Sequence, residues 1–79
     1  MTAKEFKTSA HNLGIFFDDA TEDGNGDFIL GYTQSSYTTV KASDVCNLIE
    51  QNFDNKIISV TKVQDYHYRL RYEFKISKK

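Results

Sequence analysis

A chain of 79 residues with 39% hydrophobic, 14% aromatic and 27% charged side chains has the composition of a folded domain, and no low-complexity stretch marks it as a disordered tail or a fibrous repeat. At this length there is room for one modest core burying about 60 to 65% of the unfolded chain's surface, which disfavours a deep catalytic pocket with its own supporting shell. The net charge of −1 argues against a domain that is basic as a whole, as most nucleic-acid-binding domains are.

No apolar run approaches the roughly 18 residues that a membrane span needs, and the opening "MTAKEFKTSAHN" lacks the apolar centre of a secretion signal. The expected compartment is cytoplasmic, with no membrane partner. A single cysteine, Cys46, excludes an internal disulfide and agrees with a reducing environment.

In chain order, Thr2 with Glu5 has the spacing of a capping box, and Ala3, Phe6, Ala10, Leu13 and Phe17 recur at helical intervals. Thr8, Ser9, Asn12 and Gly14 weaken a helix, so the spacing predicts a short one to about Asn12, closed by Gly14, and then a strand in "IFFDD". "DFILGYT" and "SYTTVKA" read as two further strands joined near Gln34 and Ser35. In "SDVCNLIEQNF", Ser43 is placed to cap a helix. Val45, Leu48, Ile49 and Phe53 lie on one side of it, and an end is expected near Asp54 and Asn55, where asparagine tolerates the left-handed conformation. "KIISVTKV" is rich in β-branched residues, and a short "QD" link joins it as an antiparallel hairpin to "YHYRLRYEFKI". In that last run Tyr66, Tyr68, Leu70, Tyr72, Phe74 and Ile76 alternate with His67, Arg69, Arg71, Glu73 and Lys75, giving one apolar and one mostly basic face. Most of its three tyrosines are assigned to the core.

The resulting fold is α+β, a single domain over residues 1–79. It is an antiparallel sheet of four or five strands with the helix of about residues 44–53 on one face. Leu48, Ile49, Phe53, Leu70, Tyr72, Phe74, Phe28 and Leu30 are the expected core.

Only one segment resembles a named chemical motif. In "TEDGNGDFIL", setting Gly26 at the sixth place of a calcium loop puts Asp23, Asn25 and Asp27 at ligand places, but the first place becomes Thr21 and the twelfth Tyr32. With the starting carboxylate and the bidentate glutamate both missing, the segment reads as a glycine-punctuated hairpin turn. His11 and His67 have no second ligand at metal spacing, Cys46 has no marked base, and no glycine-rich phosphate loop is present, so no metal, no cofactor and no catalytic residue is assigned.

Charge is unevenly spread. Residues 1–53 carry three basic against eight acidic side chains, and residues 54–79 carry seven basic against three acidic. Asp18, Asp19, Glu22, Asp23 and Asp27 crowd one loop without a basic neighbour, which suits either solubility or docking on a basic partner surface. His67, Arg69, Arg71 and Lys75 form a stripe in which alternate residues lie about 7 Å apart, a distance comparable to successive phosphates of a nucleic-acid strand. The small size and the polar asparagine, lysine and tyrosine usage resemble small phage or mobile-element proteins that inhibit host machinery. The acidic patch suits a larger protein or complex as partner, such as one whose basic surface is built to hold nucleic acid. The sequence thus points to a non-catalytic binding protein of inhibitor or adaptor type using the acidic loop and exposed tyrosines. The rival from another class is a nucleic-acid-binding module using the basic stripe.

Overall fold

The computed structural model describes residues 1–66 and 69–78. Two helices and four strands follow in the order α1 (Ala3–His11), β1 (Asp19–Glu22), β2 (Phe28–Ser35), α2 (Ala42–Asn52), β3 (Ile57–Tyr66) and β4 (Arg69–Ile76). The strands form one antiparallel sheet in the order β1-β2-β4-β3, so β4, the last strand in the chain, lies inside the sheet and β3 is an edge. This is the expected α+β class with four strands. No helix among the described residues is long and apolar enough to cross a membrane.

Helix α1 starts as its sequence requires. The Glu5 N–H donates to Thr2 Oγ1 at 3.2 Å and the Thr2 N–H donates to Glu5 Oε1 at 2.8 Å, so two otherwise orphaned donors are satisfied reciprocally. Ala3, Phe6 and Ala10 form its buried stripe. Gly14, at φ +86°, lets the chain turn back so that the Ile15 N–H reaches the Ala10 carbonyl at 3.1 Å. "IFFDD" then alternates like a strand, with Ile15 and Phe17 buried and Phe16 exposed. The ladder nevertheless begins only at Asp19↔Gly31. Period two here records an extended connection over the core rather than a paired strand.

"SYTTVKA" is not a strand. The Ser35 N–H donates to Thr38 Oγ1, the Thr38 N–H to the Ser35 carbonyl and the Tyr37 N–H to Ser35 Oγ, so local serine and threonine bonds take up the backbone groups that a ladder would need. The Tyr32 hydroxyl donates to the Val40 carbonyl and ties this loop to the core.

Helix α2 begins two residues earlier than the serine cap predicted. Its first donors are met from elsewhere: Gln34 Oε1 accepts the Ala42 N–H at 2.7 Å, and Asp44 Oδ2 accepts the Lys41 N–H at 3.2 Å. Ser43 is therefore inside the first turn rather than the cap. The helix closes on Phe53 in an extended conformation and no asparagine adopts positive φ, so the expected left-handed closure is absent from the described residues.

The β3–β4 hairpin is present, but "QD" is not its link. Gln64 and Asp65 pair with Arg71 and Leu70 within the ladder, which continues to Tyr66↔Arg69, and His67 and Tyr68 lie outside the described residues. Register shifts between Ile57 and Ser59 and between Lys62 and Gln64 insert a residue each, and they break the simple alternation that β3 would otherwise show.

The core is built from one face of the sheet. Phe28, Leu30 and Tyr32 of β2 stand opposite Ile76, Phe74 and Tyr72 of β4, and all but the half-buried Tyr72 are fully or nearly fully buried. Phe6 meets Phe28 and Phe53 with ring centroids 5.6 and 4.5 Å apart, and Phe17 meets Tyr32 and Phe74 at 5.7 Å each. Val45 and Ile49 complete the same cluster from α2. Of the expected core, Phe28, Leu30, Ile49 and Phe74 are buried, whereas Leu48, Phe53, Leu70 and Tyr72 are only partly so. Ala3, Phe6, Ala10, Ile15, Phe17, Tyr32, Ala42, Val45 and Ile76 carry the remainder. Tyr66 is exposed, not core.

Candidate functional site

The acidic segment is a hairpin turn. The Gly26 N–H donates to the Asp23 carbonyl and the Asp23 N–H to the Asp27 carbonyl, with Gly26 at φ +83°, the arrangement of a turn followed by a left-handed residue. Asp23 Oδ1 accepts the N–H groups of Asn25 and Asp27 at 2.8 and 3.0 Å, while its Oδ2 is 3.1 Å from Lys75 Nζ. Both carboxylate oxygens are thus engaged by the protein's own donors. The Lys75 ammonium first, and the two N–H groups after it, hold this carboxyl below the ordinary aspartate range despite the opposing effect of desolvation.

The basic stripe meets the acidic loop on the same face of the sheet. Arg71 of β4 reaches across β2 to β1, where Nη1 lies 3.0 Å from Asp18 Oδ2 and Nη2 lies 2.6 Å from Asp19 Oδ2. What permits the crossing is Gly31, because a side chain there would occupy the space of the guanidinium. The Asp19 hydrogen bond, then the charges of both aspartates, push the Arg71 pKa up. Asp18 also accepts from the Thr33 hydroxyl at 2.5 Å. Further along, Lys78 donates from Nζ to the Asn25 carbonyl and from its N–H to Asp27 Oδ1. Asp18, Asp19, Asp23 and Asp27 are thereby bonded to the C-terminal strand and tail, and of the five loop acids only Glu22 has no such partner among the described residues.

Two oppositely charged candidate surfaces are therefore one internally neutralised surface. Of the basic candidates Arg71 and Lys75 are committed, His67 lies outside the described residues, and Arg69 is left exposed with no partner among the described residues.

Arg69 occupies a different setting from the rest of the stripe. The ladder sets Ser35 of β2 and Tyr66 of β3 on either side of it, and the loop after β2 raises Ser36 and Tyr37 beside it. Ser35, Ser36, Tyr37 and Arg69 line an open depression of about 560 Å³. One adjoining depression of about 300 Å³ extends past Lys41 and Tyr66, and another of about 280 Å³ extends past Tyr37 to Phe16. Tyr37 is 92% exposed, Tyr66 64% and Phe16 59%. This end of the molecule was not assembled from the sequence. Its only signals were an aromatic inside the serine and threonine run "SSYTT" and the outward member of "IFF", and the topology alone brings the first to Arg69 and the second to the first.

Chemically, this surface offers stacking area, hydroxyls and one uncommitted guanidinium. Cys46 adds no nucleophile, since burial first and Glu50 second push its thiol pKa up and keep it protonated. Among the described residues no three of His, Cys, Asp and Glu are placed to share a metal ion. Comparison of the chain with protein-family models, with curated proteins and with solved structures finds no match.

Proposed function

We propose that this chain is a non-catalytic binding protein, of inhibitor or adaptor type, that docks on a larger protein through the end of the sheet bearing Tyr37, Tyr66, Phe16 and Arg69. The observation that carries the reading is the exposure of Tyr37 and Tyr66 beside one unpaired arginine, with Phe16 exposed along a further depression that Tyr37 shares. Tyrosine and arginine are the residues in which interface energy concentrates, because each buries much area at low entropic cost while keeping a polar group to orient the contact. Nothing in the packing explains Tyr37, which stands almost wholly in solvent.

Nucleic-acid binding through the basic stripe is the weaker reading. It needs a row of cations to displace counterions from successive phosphates, and Arg71 and Lys75 are already held by Asp18, Asp19 and Asp23.

The reading is tested by placing a photocrosslinking amino acid at position 37, 66 or, as a control on α2, 50. Irradiation in native lysate is carried out with and without nuclease. The expectation is a discrete protein adduct from positions 37 and 66 that survives nuclease and is absent from position 50. Equal labelling from all three positions, or loss of the adduct on nuclease treatment, would sink the proposal.

A further inference from the structure

We infer that the Arg69 depression receives an acidic side chain of the protein partner, a single aspartate or glutamate carboxylate with an apolar residue beside it. This rests on the docking reading above and gives it a ligand chemistry. Arg69 is the one cation on its face of β4 that no aspartate holds, since Arg71 is bonded to Asp18 and Asp19 and Lys75 to Asp23. Around it stand hydroxyls and an ammonium that can all donate to a bound carboxylate. The Ser36, Tyr37 and Tyr66 hydroxyls have no hydrogen-bond partner among the described residues, and Lys41 Nζ lies in the adjoining depression, 3.5 Å from the Ser35 carbonyl. Asp65, which lines the adjoining depression, is paired with Lys62 at 3.4 Å. Among the residues lining the two depressions, no unpaired carboxylate meets the guanidinium. A carboxylate supplies two oxygens in the plane that the guanidinium fork fits, and Tyr37 and Tyr66 supply apolar area for its neighbour.

A polyanion fits less well. Glu73 stands exposed on the same face of β4, and the next cations along that face, Arg71 and Lys75, are already held by Asp18, Asp19 and Asp23. A strand of phosphates long enough to use several cations would meet Glu73 and cations already engaged, whereas one carboxylate entering at Arg69 would not.

The test is a selection of random peptides from a display library on three immobilised baits, the wild-type chain, Arg69→Gln and Tyr37→Ala. The best wild-type peptide is then synthesised with its acid and with glutamine in its place. The wild type is expected to enrich peptides with an acidic residue next to an apolar one, and Arg69→Gln to lose that enrichment. The acid-to-glutamine peptide is expected to bind the wild type about tenfold more weakly. Because this last arm changes only the peptide, it reads the interaction even if a bait is destabilised. Equal charge in the peptides selected by wild type and Arg69→Gln, or equal affinity of the acid and glutamine peptides, overturns the inference. So does tighter binding of oligothymidylate than of the selected peptide. If Tyr37→Ala loses the peptides while Arg69→Gln keeps them, docking at this end stands and the carboxylate is wrong; if neither substitution matters, both fail.

Discussion

Gly31 offers a test in which two effects of opposite sign compete. It lies within a strand at a φ that other residues adopt freely, so on conformational grounds alone Gly31→Ala is expected to stabilise by about 0.5–1 kcal/mol. A Cβ at this position, however, falls 2.7 Å from Asp19 Oδ1 and 3.0 Å from Arg71 Cζ, and both groups must withdraw. The Gly31 N–H then loses its 3.0 Å bond to Asp19 Oδ1 on a buried residue, which costs about 1–3 kcal/mol. The Arg71 pairs with Asp18 and Asp19 are lost as well. Their side chains are 33%, 41% and 56% exposed, so each pair contributes about 0.2–1 kcal/mol. The losses outweigh the gain, and a net destabilisation of about 1–3 kcal/mol is expected. Urea melts of wild type, Gly31→Ala, Arg71→Ala and the double variant measure both the cost and the coupling. Once Arg71 is absent half of the obstruction is gone, so the alanine should cost less in that background, with a coupling of about 0.5–1.5 kcal/mol. A Gly31→Ala protein as stable as wild type, or effects additive to within about 0.3 kcal/mol, would refute the clamp as an energetic unit.

Phe6→Ala removes a fully buried ring that contacts Phe28 and Phe53 and should cost about 3–5 kcal/mol, enough to leave much of so small a domain unfolded at 37 °C by circular dichroism. Ile49→Ala should cost about 2–5 kcal/mol in the same melts and Leu48→Ala clearly less, because Ile49 is fully buried and Leu48 only partly; the reverse order would mean that α2 is rotated about its axis. The Asp23 carboxyl has a lowered pKa in the folded chain, so its stabilisation is present above about pH 4 and is lost as pH falls through the folded value. Asp23→Asn should therefore melt below wild type at neutral pH and converge with it near about pH 2, and a gap that persists unchanged on acidification would count against the Lys75 pair. Millimolar calcium should leave the melting temperature unchanged, since Asp23 already accepts from Asn25, Asp27 and Lys75; a saturable rise would show the turn to be a cation site.

Periodicity made β4 legible, and with it the buried face that Phe74 and Ile76 share with Phe28 and Leu30, because a half-buried central strand imposes strict alternation on its side chains. The capping box at Thr2 and Glu5 was equally plain, being a local bond between neighbours in sequence. Signals failed where a local pattern had two physical causes. "IFF" alternates because it runs extended over the core, not because it is paired, and "SYTTV" combines high strand propensity with hydroxyls that bond their own backbone. The start of α2 depended on Gln34, eight residues upstream, which no capping pattern includes. The site followed the same rule. Charge clusters are visible in a sequence, but whether they face solvent or each other is decided by strand order, and the order β1-β2-β4-β3 places Asp19 one strand away from Arg71's own neighbour.

The internal pairing also changes what charge reversal can reveal about binding. Replacing Asp18, Asp19 and Asp23 by lysine would place like charges against Arg71 and Lys75, in contacts that join residues 53 and 52 positions apart and tie the β1 segment and its turn to β4 across β2. Such a variant would lose affinity through its fold whether or not the loop touches a partner, and Arg71→Glu would fail in the same way. Arg69 and Glu22 are the informative members of the two clusters, because neither is paired among the described residues and each is exposed. Exposed charges away from specific contacts usually change stability by less than about 0.5 kcal/mol, so Arg69→Glu and Glu22→Lys should both melt close to wild type. Any loss of partner binding in them then reports the interface itself. On the docking reading, Arg69→Glu should weaken binding and Glu22→Lys should leave it nearly unchanged, whereas a loss confined to Glu22→Lys would move the interface to the acidic hairpin turn and away from Tyr37.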